Sequence, residues 1–478
     1  MMISSDSGKE SFVVCRNSQG SAVRATVLRM TRHTVTFEVY NPFSILQNSE
    51  VLSEFKIFVG ERLAYNGKAV VSGIVNTGLL LICEVSLGES WLDVDVFSPF
   101  GLQKNIKSEF EAFLKGWERL QGVMSDFKVM IADIQIFLTD LRQWLEQVEF
   151  GIQADPNRDH DVIEREILGD LEGILIKRVQ PLFDRFEEMT SGIEEPLRPI
   201  HRFYAKQQLH PLVLCAPFVH RTYQKPLGYA GDFEMVNMIL NDPFQGGSLF
   251  AKVINYSFLQ QAPAQAHRNR IKYLTNVLLE EVKRLKTSGE KIKILNLGCG
   301  PAQEIQNFLE AYDLSDLAHF TLIDFNDETL AYTEQKIKNI CKQFKRQTEF
   351  RFVKKSVHQI LKECGKSSEI LMPEAYDLVY CAGLFDYLSD RVCQRLVEVF
   401  YQLVCPGGLV VVTNVDIQNP QKNMMEYVLE WHLIYRNFEN LQYLVPKAVD
   451  KDFWAVKADD TKVNIFLELR KNLSLVNV

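Results

Sequence analysis

The chain has 478 residues, 46% of them hydrophobic and 24% charged, which is ordinary for a water-soluble protein and enough for roughly three domains with cores of their own. Its formal net charge of −8, with no long Lys/Arg run, argues against nucleic acid or an anionic membrane as the main partner. Nine cysteines form no CxxC pair and no uncharged apolar run nears ~18 residues, so neither a zinc site, a disulfide framework nor a transmembrane segment is expected.

The opening residues, MMISSDSGKESF, hold no apolar core of the kind a signal peptide needs, and a cytoplasmic location is expected. Residues 1–98 read as all-β. Short alternations (SAVRATVLRM, HTVTFEVY, FKIFVGERL, KAVVSGIV, LLLICEVSL) are broken by turn signals such as Asn66-Gly67 and Thr77-Gly78. Five or six strands so spaced predict a small barrel.

Residues 99–196 change period. Phe110, Phe113, Trp117, Leu120, Met124, Phe127, Ile131, Ile134, Leu138, Leu141, Leu145 and Val148 follow one another at steps of three and four. That 3.5-residue rhythm predicts a helix with a coiled-coil seam, ~60–70 Å long at 1.5 Å per residue. The polar loop around Pro156 ends it, and a second helix carries Ile167, Leu171, Ile174, Leu182 and Phe186. The pair reads as an antiparallel hairpin. Periodicity leaves open whether the seam closes on the second helix or on another copy of the chain, and a homodimer through the hairpin is carried forward as an expectation.

Residues 197–275 are irregular and rich in aromatics, His and Pro, and read as a cap or substrate-binding segment. From 276 to 478 the pattern becomes strand–helix alternation: KIKILNLG, HFTLIDF, EFRFVK, YDLVYC and GLVVVTNV, closing with the β-runs FWAVKADD and VNIFLELRK. This predicts an α/β, Rossmann-like sheet of seven strands, one of them reversed, with helices on both faces.

The chemistry-bearing loop follows the first of these strands, Ile294-Leu-Asn-Leu-Gly298-Cys299-Gly300-Pro301-Ala302. Two glycines after a buried strand permit a tight turn and close approach of a ligand. Asp324 stands 24 residues after Gly300, at the end of the second strand, where a carboxylate accepts hydrogen bonds from ribose hydroxyls. The dinucleotide fingerprint is broken by Gln303, and Glu304 adds negative charge at the helix start, which disfavours a pyrophosphate.

In order and spacing, ILNLGCGPA, LIDFND, YDLVYCAGLFDYL and CPGGLVVVTNV resemble the motifs of class I S-adenosylmethionine (SAM)-dependent methyltransferases over about 200 residues. The resemblance implies SAM as cofactor, with Gly298, Cys299 and Gly300 along its methionyl end and Asp324 on the ribose. It also implies Phe325 and Asn326 flanking the adenosine, Val357 near the adenine, and Cys381, Ala382 and Gly383 as the floor beside the methyl group. Asn296 stands where the family usually has Asp or Glu, and Ala302 where it has a third glycine.

Methyl transfer needs the acceptor aligned with the methyl in a dry site. The His/Tyr/Arg-rich run from Arg202 to Asn237 is the first place to seek acceptor groups: His210 and Tyr229 are the catalytic candidates, Gly228 and Gly231 bracket Tyr229, and His201 and His220 lie nearby. His267, Arg268 and Arg270 follow just before the sheet. A second candidate group is Glu430-Trp431-His432-Leu-Ile-Tyr435-Arg436, in which His432 and Arg436 stand out, the latter as a two-pronged carboxylate grip. For any single histidine here, helix capping or loop satisfaction is the blander alternative.

The stretch KPLGYAGDFEMVN is similar to bacterial proteins that make 3-hydroxypalmitic acid methyl ester. That resemblance implies O-methylation of a small carboxylate-bearing or fatty-acid-like acceptor. The alternatives are a protein or amine acceptor, or a non-catalytic regulatory protein working through barrel and coiled coil. The N-terminal barrel resembles a PilZ domain. Arg24 and Arg29 are present, but the D/NxSxxG turn is replaced by Arg29-Met30-Thr31-Arg32-His33-Thr34, which argues against cyclic di-GMP as a partner.

Overall fold

The structure, a computed structural model, describes residues 11–473 apart from 19, 21, 32, 40–45, 60–61, 77–80, 89–121, 155–158, 287–288, 290 and 367–375. Two compact units emerge: one of residues 1–230, 242–261 and 420–432, the other of 231–241, 262–419 and 433–478.

The first unit opens with a closed six-stranded barrel, β1 (Ser11–Arg16), β2 (Ala22–Met30), β3 (Thr34–Val39), β4 (Val51–Val59), β5 (Arg62–Asn76) and β6 (Leu81–Leu87), in the order β1-β2-β3-β6-β5-β4. Closure leaves no free sheet edge. The strand period of two sends Val13, Cys15, Val35, Phe37, Phe55, Ile57, Cys83 and Val85 inward, all at most 1% exposed. Arg24 projects from β2 over the Phe12 ring, 4.5 Å from its centroid.

The described helices of this unit include α1 (Ser125–Gln153), α2 (His160–Ser191), α3 (Arg198–Val213), α4 (Pro217–Gln224) and, beyond residue 241, α6 (Leu249–Leu259). The seam of α1 buries Phe127, Ile131, Ile134, Leu138 and Leu145, and α1 packs on α2, α3 and α6. The predicted hairpin is thus present and its seam is filled from within the chain. The more N-terminal seam positions Phe110, Phe113, Trp117 and Leu120 lie outside the described residues. No described helix is long and apolar enough to cross a membrane.

The second unit comprises α5 (Phe233–Leu240), α7 (Ala262–Leu285), β7 (Ile292–Leu297), α8 (Gln303–Ala311), β8 (Ala318–Asp324), α9 (Asp327–Phe344), β9 (Glu349–Lys354), α10 (Val357–Lys366), β10 (Tyr376–Cys381), α11 (Asp390–Leu403), β11 (Val404–Val415), α13 (Phe438–Gln442), β12 (Trp454–Ala458) and β13 (Asn464–Arg470). One further helix, α12 (Lys422–Tyr427), follows β11 in sequence but belongs to the first unit. The seven strands lie in the order β12-β13-β11-β10-β7-β8-β9, with β13 antiparallel to both of its neighbours and the central pairs parallel.

Alternate residues feed two cores, as a sheet covered on both faces requires. Ile294, Phe320, Leu322, Leu378 and Val411 face one core with Leu278 and Phe308. Leu295, Leu297, Ile323, Val379 and Val412 face the other with Leu396 and Phe400. The chain winds outward in opposite directions from β7 and β10. Their carboxyl ends therefore leave a crevice between the loops they feed, the usual ligand position in such sheets.

Candidate functional site

The loop leaving β7 is pinned at both sides. Gly298 and Cys299 donate their backbone N–H groups to the Ile323 carbonyl on β8, at 2.8 and 3.1 Å. The Thr333 hydroxyl on α9 donates to the Gly300 carbonyl at 2.7 Å. At Gly300, φ is +51° and a β-carbon would meet no atom within 4 Å, so its bare backbone faces open space. Ala302 takes the third-glycine position with the same left-handed turn, φ 50°.

Asp324 closes the second strand tip, 6% exposed. One carboxylate oxygen accepts from Gly300 N at 3.2 Å, the other from Asn326 N at 3.0 Å. Phe325 N–H is a third backbone donor to this carboxylate, which still leaves acceptor capacity for a further donor. Burial pushes this carboxyl up to about 6, against the pull of those backbone donors. Asn326 accepts from Thr329 N at 2.9 Å and caps α9, placing Phe325 in the turn between strand and helix. Val357 is the first residue of α10, just beyond β9, and Lys355 N donates to the Asp324 carbonyl at 3.0 Å.

β10 ends at Cys381, which is fully buried, and its thiol is raised well above the ordinary range by burial. Ala382 and Gly383 follow. Gly383 N donates to the Thr413 hydroxyl on β11 at 3.0 Å.

Beside this loop, Asn296 and Glu304 form a buried pair. Asn296 Nδ2 donates to Glu304 Oε1 and to the Tyr380 hydroxyl oxygen, both at 3.1 Å, and Tyr380 O–H donates to the same Glu304 oxygen at 2.8 Å. The carboxylate missing at position 296 is thus supplied by Glu304, the second residue of α8. Among the described residues Asn296 Oδ1 is buried without a hydrogen-bond partner. The residues fit SAM: open space beside Gly300, a carboxylate with spare acceptor capacity on the next strand tip, and an orphaned amide oxygen beside an acid for a cationic ligand group.

The four acceptor-side candidates fall in different places. Arg436 belongs to the second unit, 1% exposed. Its Nε and Nη2 donate to Asp390 at 2.9 and 2.7 Å, Nη1 to the Phe385 carbonyl and Asn414 Oδ1 at 2.8 and 2.6 Å, and Nη2 also to the Leu388 carbonyl at 2.7 Å. All five donors are engaged, so this guanidinium fastens the loop after β10 and has none left for a substrate carboxylate.

His210, His432 and Tyr229 belong to the first unit. His210 Nε2 donates to the Val428 carbonyl at 2.9 Å, and its ring meets Tyr223 edge-on. His432 is 2% exposed, and Ser49 Oγ donates to its carbonyl at 2.7 Å. Burial keeps both imidazoles neutral by lowering their pKa values. Tyr229 lies half-buried in the turn after α4, between glycines 228 and 231 at φ +84° and +78°.

Around His210 the segment 420–432 is held to the first unit by Arg202–Glu426 at 3.0 Å, a Lys206–Glu430 ion pair, and Lys225 Nζ donating to the Leu429 carbonyl at 3.1 Å. Burial pushes the Lys225 ammonium down to about 8. This clasp has no counterpart in the local sequence pattern. Glu304 and Arg270, by contrast, were legible as residue types at a helix start and in AHRNRI, but their roles were not.

Residues 295–410 match the family described as "Methyltransferase domain". An uncharacterized protein of Rickettsia prowazekii (strain Madrid E) is 26% identical over 148 residues, 29% of this chain and 50% of that protein, so the chain spans about half the length of the curated relative it matches. Among solved structures, a possible exported protein from Bordetella parapertussis aligns with TM-score 0.40 at 15% identity, covering 64% of this chain and 96% of that one. Magnesium protoporphyrin IX methyltransferase from Synechocystis PCC 6803, with bound S-adenosylhomocysteine (SAH), aligns with TM-score 0.31 at 9% identity over 43% of this chain and 85% of its own. The N-methyltransferase NodS of Bradyrhizobium japonicum, also with SAH, aligns with TM-score 0.30 at 14% identity over 52% and 98%.

Proposed function

The C-terminal unit is a class I SAM-dependent methyltransferase domain, and from that premise we propose that the chain O-methylates a small carboxylate-bearing or fatty-acid-like acceptor. SAM, when bound, supplies a methyl group on a positively charged sulfur. Asp324 and the Gly298–Gly300 backbone orient the nucleoside, and Cys381, Ala382 and Gly383 floor the site beside the methyl. A carboxylate acceptor is already ionised at neutral pH, so no proton has to be removed before its oxygen attacks.

One observation carries the choice of acceptor. Burial, aided by the Arg270 charge, lowers the pKa of His267 well below the ordinary imidazole value, and Arg270 Nη2 stands over its ring at 3.1 Å from both nitrogens, so His267 is a poor general base. An acceptor that needs no general base suits this arrangement better than an ammonium that must first lose a proton. A lipid-like acceptor is supported by the resemblance carried by residues 225–237.

The test is calorimetry with SAM followed by transfer of labelled methyl to a panel of fatty and hydroxy-fatty acids, amines and peptides. A base-labile labelled ester is the expected product. Label found only in amines or peptides would remove the carboxyl acceptor and leave the cofactor assignment intact.

Homodimerisation through the hairpin is part of the same reading. α1 keeps Val129, Ile136, Trp144 and Phe150 between 47% and 73% exposed. Their spacing of seven, eight and six residues places them on one side of the helix, opposite the filled seam.

A further inference from the structure

Arg270 stands on α7, in the unit that carries the cofactor loop, and its guanidinium lies over Gly383. A β-carbon at 383 would come within 2.9 Å of Nη1, 3.1 Å of Nη2 and 3.2 Å of Cζ, so the guanidinium occupies the space a side chain would take at the floor of the site. Its only hydrogen-bond contact among the described residues is the neutral His267 ring. No described carboxylate lies within ion-pair distance of it. The acids whose fields reach it are Asp386 and Glu304. Asp386 Oδ1 accepts from Val415 N at 2.6 Å, while Glu304 is taken by Tyr380 and Asn296.

A half-buried guanidinium without a counter-ion is unfavourable, and near a sulfonium it is doubly so. Arg436 shows the contrast, with all five donors engaged. Arg270 keeps Nη1 free of protein acceptors among the described residues, and Nη2 has a hydrogen beyond the one facing His267, so its Nη1–Nη2 edge offers the two parallel N–H bonds that match a carboxylate. A carboxylate seated there neutralises the guanidinium and shields it from the cationic sulfur.

We propose that Arg270 is the carboxylate-binding residue of the methyl-transfer site. This rests on reading the second unit as a SAM site. The carboxylate comes either from the methionyl end of the cofactor or from the acceptor, and the experiment separates these two sources.

Full-length wild type, Arg270→Gln and Arg270→Lys are titrated by calorimetry with SAH, with 5′-methylthioadenosine, which lacks the amino-acid end, and with decanoate in the presence of SAH. Far-UV circular dichroism and thermal melts check folding. If the cofactor supplies the carboxylate, Arg270→Gln weakens SAH at least tenfold and leaves 5′-methylthioadenosine unchanged. If the acceptor supplies it, both nucleosides bind as before and decanoate weakens at least tenfold. Arg270→Lys, which keeps the charge but not the fork, falls between wild type and Arg270→Gln in either case.

Equal effects on all three ligands, or none, overturn the proposal. Selective loss of SAH with no decanoate binding even in wild type upholds Arg270 while removing the carboxyl-acceptor reading. Should both variants misfold, wild type decides: 5′-methylthioadenosine and SAH of equal affinity, with no decanoate binding, overturns the proposal.

Discussion

Asp324 Oδ2 accepts the backbone N–H of Gly300 at 3.2 Å, which ties the tips of two neighbouring parallel strands together through one buried carboxylate. The same group holds the bend of the glycine loop and, on the proposed reading, offers its remaining acceptor capacity to the ribose of the cofactor. Its two duties can be separated by substitution and by pH.

Asp324→Asn keeps one acceptor oxygen for the loop but loses the charge. Hydrogen bonds to a charged group are worth ~1.5–3 kcal/mol each, so SAM affinity is expected to fall by about two orders of magnitude or more. Because burial raises this carboxyl from 3.8 to about 6, it protonates as the pH falls through about 6. Calorimetry on wild type should show SAM affinity dropping about tenfold between pH 7 and pH 5, a dependence Asp324→Asn lacks. The empty protein has the opposite sign. A raised carboxyl contributes stability that is present below 3.8 and lost as the pH rises through about 6, roughly 3 kcal/mol in all. In denaturant titrations, Asp324→Asn should therefore gain on wild type across that window.

Gly300→Ala and Gly383→Ala test the two faces of the crevice. At Gly300 the new methyl meets nothing, so backbone strain of about 1–2 kcal/mol is the whole cost to folding, while the methyl intrudes on the cofactor. At Gly383 the methyl collides with the Arg270 guanidinium at 2.9 Å in addition to the strain at φ +79°. The expected result is a larger loss of SAM affinity in the first variant and a larger loss of stability in the second, read by calorimetry and urea unfolding. Equal stability losses would show that Arg270 moves aside without cost.

Arg436→Met removes five donors from acceptors that are mostly buried. Asp390 is largely exposed and is rehydrated, so the cost is that of the lost bonds to the Phe385 and Leu388 carbonyls and Asn414 Oδ1, about 1 kcal/mol each, and the melting temperature should fall by several degrees. The surviving folded protein should bind SAM with affinity close to wild type, since Arg436 faces the loop carbonyls of Phe385 and Leu388. A selective loss of acceptor binding at unchanged stability would restore Arg436 as a substrate grip.

Trp144→Glu places a charge in the middle of the exposed α1 stripe. If the hairpin pairs two copies, analytical ultracentrifugation should show a dimer in wild type and a shift to monomer of at least tenfold in dissociation constant in the variant. A monomeric wild type would assign the stripe no role in self-association.

Local pattern was enough to read a small barrel of five or six strands, the helical hairpin and the seven-stranded sheet with its reversed strand, because strand and helix periods, turn residues and the GxG bend are short-range signals. It was also enough to place Gly300 and Asp324 on adjacent strand tips, since the strand–helix alternation dictates that topology. What neighbours in sequence do not encode is which side chain meets which across the fold. Arg436 and Arg270 look alike in the sequence; tertiary contacts saturate the first and give the second no carboxylate partner among the described residues. The same long-range packing puts Glu304 beside Asn296, fills the α1 seam from within, and draws residues 420–432 out of the sheet's continuous stretch into the other unit. Hydrogen bonds and ion pairs act over a few ångströms, and chain separation of eight to more than two hundred residues hides those distances until the backbone has folded.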